Sequence, residues 1–280
     1  MGAFDPLEGI GMVELVADGF VFTEGPTWRS AEQRLLFSDV PANTIYQLTP
    51  PDDVVVFRAD SGEANGLDSD VDGLLLAAEH ANRRVSRTLA NGTVVTVASE
   101  YLGDPLNSPN DIAVRSDGTI YFTDPPYGIN PATQQVLEFN GVFRVAPNGD
   151  LSAEWEGAKS TRPNGLVLSP DESVLYVADS TAGVMVFDVN ADGSLSNERA
   201  FIETLPIADG MAIDAAGNLF VTTSTGVQVF DRAGEPWGTI VVPDGRAPAN
   251  CAFGGEDTRT LYITARQALY RVSLANPGLY

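Results

Sequence analysis

A repeat of about 45 residues restricts the fold of this chain more than any other feature of its sequence. Each copy opens with a short polar residue, continues through an apolar strand and an Asp/Gly-type turn, and enters a second apolar strand. Successive copies open 41 to 54 residues apart. The six opening residues are Glu24, Asn65, Asn110, Asn164, Asp209 and Asn250.

The segments between these openings have the chemistry of short strands and hairpins. Second strands such as 35–39, 120–124 and 175–179 are β-branched and aromatic, and Gly, Asp, Asn and Pro separate them. No segment carries the apolar stripe of period 3.6 that marks an amphipathic helix. A unit of antiparallel strands of this length matches one propeller blade, so the sequence predicts an all-β, six-bladed β-propeller with residues 1–280 as a single domain.

Two departures from regularity predict local features of this propeller. The third copy is the longest, and we expect residues 125–139 to form an insertion in the third blade. Residues 13–22 precede the first opening. We expect them to supply a strand that closes the ring against the last blade.

The six openings share a chemical property, because every one is a carboxylate or a carboxamide. In a propeller the innermost strand of each blade lines the central channel, so residues at the same phase lie at the same height around the pore. Such groups are poor strand formers but good oxygen ligands for hard cations. Asn and Asp also open turns, which is the alternative explanation. Six such residues at one phase favour a ring of metal ligands.

Composition narrows the possible partners. The formal net charge is −22, with 38 acidic and 16 basic residues, which argues against nucleic acid and against anionic membrane surfaces. Cys251 is the single cysteine, so no internal disulfide can form. The N-terminal residues show neither a signal peptide nor a membrane-spanning run. We therefore predict a cytoplasmic protein that binds a small molecule.

Several segments around the openings resemble the signature segments of the gluconolactonase family, which includes regucalcin (senescence marker protein) and luciferin-regenerating proteins. The resemblance extends from about residue 13 to 274. The segments that carry it are E-G-P-T-W at 24–28, S-P-N-D at 108–111, R-P-N-G at 162–165, D-G-M-A at 209–212, F-T-D-P-P-Y-G at 122–128 and E-H-A-N-R-R-V at 79–85.

This resemblance implies a propeller with one bound divalent metal. By position, the ligands would be Glu24, Asn164 and Asp209, with Asn110 either a ligand or a substrate contact. Calcium is the expected ion, with Mg²⁺, Mn²⁺ and Zn²⁺ as alternatives. The sequence departs from some animal members, which carry Arg where Ser108 stands here. A substrate contact from that arginine is therefore not expected.

The resemblance also implies an activity, the hydrolysis of sugar lactones. The metal would polarise the lactone carbonyl, and Asp209 would be the catalytic carboxylate that accepts a proton from water, or alternatively the direct nucleophile. Two other functions stay open. They are hydrolysis of organophosphates or other esters at the same metal site, and non-catalytic binding of calcium or a ligand. The particular lactone and the oligomeric state are not readable from the sequence.

Two further residues are candidates for substrate contact. Tyr127 lies in the predicted insertion, where it would either overhang the pore and contact substrate or pack on the neighbouring prolines. His80 is the sole histidine and follows a predicted second strand. It would either contact substrate or pack within a loop.

Overall fold

Each of the first five sequence repeats forms one four-stranded antiparallel sheet in the computed structural model, which describes residues 5–203 and 205–279. The sixth repeat supplies three strands of a further four-stranded sheet. The first strand of the chain is β1 (Glu14–Asp18). Blades 1 and 2 contain β2 (Thr23–Arg29), β3 (Arg34–Asp39), β4 (Thr44–Thr49), β5 (Asp53–Ala59), β6 (Ala64–Ser69), β7 (Leu75–Glu79), β8 (Arg84–Thr88) and β9 (Val94–Ala98). The short hairpin β10 (Glu100–Tyr101) and β11 (Asp104–Pro105) leads to blade 3.

The other four blades follow the same order. Blades 3 and 4 contain β12 (Ile112–Val114), β13 (Ile120–Asp124), β14 (Asn140–Val145), β15 (Leu151–Gly157), β16 (Pro163–Leu168), β17 (Val174–Asp179), β18 (Val184–Val189) and β19 (Leu195–Ile202). Blades 5 and 6 contain β20 (Met211–Ile213), β21 (Leu219–Thr223), β22 (Gly226–Phe230), β23 (Pro236–Ile240), β24 (Asn250–Gly254), β25 (Thr260–Ala265) and β26 (Ala268–Ser273). The predicted six-bladed propeller is confirmed.

Both predicted departures from the repeat are present. Strand β1 pairs with β26, with Glu14 opposite Arg271 and Asp18 opposite Ala268, so the N-terminal strand completes blade 6. The insertion between β13 and β14 contains the single-turn helix α1 (Pro131–Gln134). A 3₁₀ turn at Pro243–Gly245 precedes β24. In the described ranges, no helix has the length and apolar character needed to cross a membrane.

The hydrophobic core is divided among the interfaces between neighbouring blades. One cluster joins blades 5 and 6, where Phe220 and Phe253 meet edge to face with ring centroids 5.1 Å apart. Another joins blades 6 and 1, where Trp28 stacks on Tyr262 with centroids 5.8 Å apart. These interfaces bury the apolar faces of every sheet, so the blades stabilise one another around the axis.

The first strands of successive blades contact one another in a closed ring around the pore. Glycine follows the opening residue in four of the six repeats, and the close approach of the blades explains it. A Cβ on Gly25, whose φ is +40°, would overlap the carbonyl of Asn65 in the next blade. A Cβ on Gly165 would lie 2.5 Å from the carbonyl oxygen of Asp209, which accepts a hydrogen bond from the Gly165 N–H at 3.3 Å. The polar-Gly pattern is therefore a requirement of blade packing.

A recurring aspartate at the end of the second strand fixes the chain segment that enters the pore. Its carboxylate accepts hydrogen bonds from backbone N–H groups just before the opening residue of the same blade. The pairs are Asp39 with Phe22 at 2.9 Å, Asp124 with Asn107 at 2.7 Å and Asp179 with Arg162 at 3.1 Å. In these three blades the opening residue is thus positioned by the strand that lies beside it.

Candidate active site

The six opening residues lie around one end of the central channel. Five of them are buried side chains, and Asp209 is half-buried. Glu24 and Asp209 interact electrostatically although they belong to blades 1 and 5, and the Asn164 amide hydrogen-bonds the Asp209 carboxylate. The structure therefore brings the three predicted ligands Glu24, Asn164 and Asp209 together at the pore, while their role as ligands stays a prediction.

The two ring carboxylates form an acidic pair, and the charge of Arg266 opposes the rise of the Asp209 pKa only in part. Burial, and next the charge of Asp209, raise the pKa of Glu24 well above its ordinary value. Burial, and next the charge of Asp111, raise the pKa of Asp209 to about 7. Within residues 5–203 and 205–279, neither carboxylate makes a salt bridge. The pore is thus arranged to attract a positive charge.

Asp111 is a third axial carboxylate, to which the sequence analysis gave no role. Asp111 occupies the position at which four other repeats carry glycine. It packs against Gly66 of blade 2, because a Cβ added to Gly66 would meet the Asp111 Oδ1. Its Oδ1 accepts a hydrogen bond from the Ile112 N–H at 3.0 Å, and burial raises its pKa to about 6. A carboxylate in place of the repeat's glycine is the sequence signal that could have revealed it.

Ser180 orients the amide of Asn164. The Asn164 Nδ2 donates to the Ser180 Oγ at 3.0 Å, and the Ser180 hydroxyl donates to the Ala208 carbonyl at 2.7 Å. The Tyr127 hydroxyl donates to the same Oγ at 2.9 Å. Because Nδ2 is held by the serine, the Asn164 Oδ1 is left to face other groups in the pore. No sequence signal marked Ser180, because its hydrogen bonds join segments of blades 3, 4 and 5 that meet only in the folded protein.

The remaining ring amides differ in their environment. The Asn250 Oδ1 accepts a hydrogen bond from the Cys251 N–H at 2.8 Å, which turns its NH₂ group toward Glu24 and Asp111 and lowers the pKa of both. Asn250 therefore acts as a donor to the carboxylates. The side chain of Asn110, by contrast, hydrogen-bonds no protein group in the described part of the chain. Its amide oxygen is available to a ligand, and its role as a metal ligand or substrate contact stays a prediction.

The two predicted substrate contacts occupy different environments. Tyr127 is 42% exposed, and its hydroxyl donates to the Ser180 Oγ of blade 4 at 2.9 Å, beside Asn164 of the ring. Burial raises the pKa of Tyr127 to about 12, although its hydrogen bond to Ser180 acts in the opposite direction. His80 is buried and packs closely against Gly128 of the insertion, and burial lowers its pKa to about 4. The structure thus favours the packed alternative for His80, and substrate contact by either residue stays a prediction.

Ser108 helps to hold the insertion in place. Its hydroxyl donates to the Pro125 carbonyl at 2.6 Å and accepts from the Gly128 N–H at 2.9 Å. This serine occupies the position where some animal relatives have arginine. In this chain the position therefore anchors a loop and supplies no cation to the mouth.

The far side of the ring opens into a cavity of about 760 Å³. The later residues of the innermost strands line it, including Asp68 and Val114. Asp111 belongs to this lining, whereas Glu24, Asn164 and Asp209 do not. Asp111 thus separates the ring of opening residues from the lower channel.

The donors at the ring fit a hard divalent cation. Among the described residues, no group of three or more His, Cys, Asp and Glu side chains is arranged to hold a metal, so an ion here needs amide oxygens as well. Glu24 and Asp209 offer carboxylates that make no salt bridge within the described ranges, and Asn164 and Asn110 add neutral oxygens. Oxygen donors of this mixed kind suit Ca²⁺.

Comparisons with known proteins identify the family of this chain. The family described as "SMP-30/Gluconolactonase/LRE-like region" matches residues 22–267. The chain belongs to this family. Its members include the gluconolactonase of Zymomonas mobilis, which is 34% identical over 93% of this chain and 80% of its own length.

Solved structures of related proteins share the propeller. A gluconolactonase from Xanthomonas campestris is 31% identical, covers 94% of this chain and 89% of its own, and superposes with a TM-score of 0.86. A regucalcin from Agrobacterium tumefaciens superposes with a TM-score of 0.82 at 18% identity, with 96% of each chain covered. The latter likeness concerns the fold alone.

Proposed function

We propose that this protein is a lactonase that hydrolyses sugar lactones at the ring end of its central pore. The observation that carries the proposal is the pairing of Glu24, which is buried, with Asp209, which is half-buried, from the blades on either side of blade 6. Neither carboxylate makes a salt bridge with another described residue. Membership of the family supports it, as does the similarity to the Zymomonas and Xanthomonas proteins, which are both named gluconolactonases.

One divalent cation, preferentially Ca²⁺, would be held by Glu24, Asn164 and Asp209, with Asn110 as a further ligand or as a contact to the substrate. The ion would supply Lewis acidity and positive charge at the position where the lactone carbonyl becomes an oxyanion. Ca²⁺ is favoured because all these donors are oxygens, while Mg²⁺, Mn²⁺ and Zn²⁺ also bind such sites to differing degrees.

Asp209 would provide the proton acceptor of the reaction. Its carboxylate is half-buried beside Asn164, at the mouth of the pore where a water molecule could reach it. A carboxylate in such a position can act as a general base. Tyr127 lies above the same opening and would limit the volume in which the lactone is oriented. Asp209 would take a proton from a water molecule as the water oxygen adds to the lactone carbonyl carbon. The ring C–O bond would then break, and the proton held by Asp209 would pass to the leaving oxygen, giving the open-chain sugar acid.

An assay of δ-gluconolactone ring opening tests the proposal. It measures the rate of acid release and compares this rate with that of the spontaneous reaction. We expect turnover by the protein in CaCl₂, loss of turnover in EDTA, and its recovery when Ca²⁺ is returned. The Asp209→Asn variant should lose about a hundredfold in kcat or more, whereas Asp52→Asn removes the same charge at an exposed site and should leave kcat unchanged. Rates equal to the spontaneous reaction with every lactone and every ion would refute the proposal. Full activity of Asp209→Asn would remove Asp209 from it.

A further inference from the structure

Arg266 is exceptional among the basic residues of this acidic chain. Fifteen arginines and one lysine are present, and all lie in the described ranges. Every other one of them bonds to a carboxylate or to a carbonyl or side-chain oxygen. In the part of the chain that the structure describes, the Arg266 guanidinium has no such acceptor, and the residue is exposed.

The backbone holds Arg266 beside the ring. It lies in the tight turn between β25 and β26 with a φ of 55°, and its carbonyl accepts hydrogen bonds from the N–H of Thr23 at 2.7 Å and from the Thr23 hydroxyl at 3.1 Å. Thr23 is the residue directly before Glu24. The charge of Arg266 also acts on Asp209 across the pore. The guanidinium therefore stands at the mouth that the proposed substrate enters.

An aromatic ring supports the Arg266 side chain. The guanidinium carbon lies 5.0 Å from the centroid of the Phe22 ring, and the Phe22 backbone is fixed by the Asp39 carboxylate at 2.9 Å. A cation–π contact of this kind uses none of the N–H donors, which point outward within the guanidinium plane. A guanidinium held in this way keeps its hydrogen-bond donors for a ligand.

Other basic residues at this end of the propeller cannot perform the same task. The Arg83 Nε donates to the Leu106 carbonyl at 2.7 Å, and Arg162 donates to the Lys159 carbonyl at 2.7 Å. The donors of both side chains are therefore used by carbonyl groups of the segments that connect neighbouring blades. The free donors at the mouth thus come from blade 6.

We propose that Arg266, supported by Phe22, is a specificity-determining residue that donates hydrogen bonds to the hydroxyl groups of the bound lactone. This inference rests on the proposed lactonase function. The charges at the mouth favour a neutral, polyhydroxylated ligand over an anionic one. With Glu24, Asp111 and Asp209 all ionised, one divalent cation and Arg266 would bring the charge of the mouth to zero, so an anionic ligand would find no excess positive charge.

Steady-state kinetics on δ-gluconolactone with the variants Arg266→Ala, Arg266→Gln and Arg266→Lys test this role. A charged donor that bonds a neutral hydroxyl is worth about a tenfold to hundredfold difference in affinity. We therefore expect Arg266→Ala to raise KM by about tenfold or more, with kcat within about threefold of the parent. Gln and Lys, which keep N–H donors, should each recover part of the loss. The affinity for the product gluconate, measured by calorimetric titration, should fall by a similar factor in Arg266→Ala.

The matched control is Arg199→Ala, which removes an arginine from the exposed strand β19, where it pairs with Asp188 at 2.8 Å. It should leave KM and kcat unchanged. An unchanged KM and gluconate affinity in Arg266→Ala would overturn the inference. The inference would also be overturned if Arg266→Ala lowered kcat alone and moved the acidic limb of the pH profile to higher pH. That result would mean that Arg266 acts by lowering the pKa of Asp209 and not by binding the lactone. Absence of lactone hydrolysis by the parent protein would instead refute the proposed function itself.

Discussion

Replacement of Asp209 by asparagine should change the stability of this protein in opposite directions with and without a divalent cation. In the metal-free protein, Asp209 is desolvated and is repelled by neighbouring carboxylates, Asp111 and Glu24, and the charge of Arg266 offsets this only in part. An amide of the same shape removes that repulsion. When a cation is bound, the same substitution removes a ligand, and the protein loses part of the free energy of binding.

The magnitude follows from the pKa of Asp209, which rises from 3.8 to about 7 on folding. A carboxyl group with a raised pKa binds protons more tightly in the folded protein, so stability that is present near pH 4 is lost as the pH rises through about 7. The full shift corresponds to at most roughly 4 kcal/mol. Because solvent reaches the half-buried side chain, we expect Asp209→Asn to stabilise the metal-free protein by about 2 kcal/mol at pH 7.5.

Urea unfolding followed by tryptophan fluorescence measures this effect, with EDTA or with CaCl₂ at about a hundred times its dissociation constant. In EDTA the variant should be the more stable protein at pH 7.5, and the advantage should disappear at pH 4. In CaCl₂ the parent should gain about 2.7 kcal/mol, and Asp209→Asn should gain much less. Asp52→Asn, at an exposed position, serves as the control and should follow the parent in every condition.

A lower stability of Asp209→Asn in EDTA at pH 7.5 would contradict the reasoning. It would mean that the carboxylate is stabilised by its surroundings and that the pore has no unbalanced negative charge. Equal stabilisation of parent and variant by CaCl₂ would show that Asp209 is not a ligand, while leaving the repulsion intact.

Three further predictions concern the ring and its neighbours. Gly165→Ala should lower the free energy of unfolding by roughly 3 kcal/mol, because the added Cβ would meet the backbone of the next blade. The control Gly149→Ala, where the space around the Cβ is open, should lower it by about 1 kcal/mol, and urea unfolding measures both values. Ser180→Ala should weaken calcium binding by about tenfold in calorimetric titration, whereas Ser224→Ala, at the equivalent position of blade 5, should not. The Cys251 thiol, buried and with a raised pKa, should react with a thiol reagent only after unfolding, and labelling of the folded protein would contradict this.

The sequence by itself determined the repeat, and with it the blades. Strand periodicity and turn chemistry act over a few residues, so six similar segments were enough to predict six sheets, the insertion at 125–139 and the closing strand before Glu24. The polar openings could be placed on one ring for the same reason, because a position repeated at one phase has one height in a propeller.

Only the tertiary structure decided how the side chains at that ring are arranged. Asp111 joins the axis because Gly66 of the neighbouring blade leaves room for it, and Asn250 becomes a donor because its oxygen is held by the next N–H group. The turn that carries Arg266 is fixed by Thr23, which lies 243 residues away in the sequence. Contacts of this kind join segments whose order along the chain says nothing about their distance. They form only when the last blade closes on the first, and that closure builds the pore.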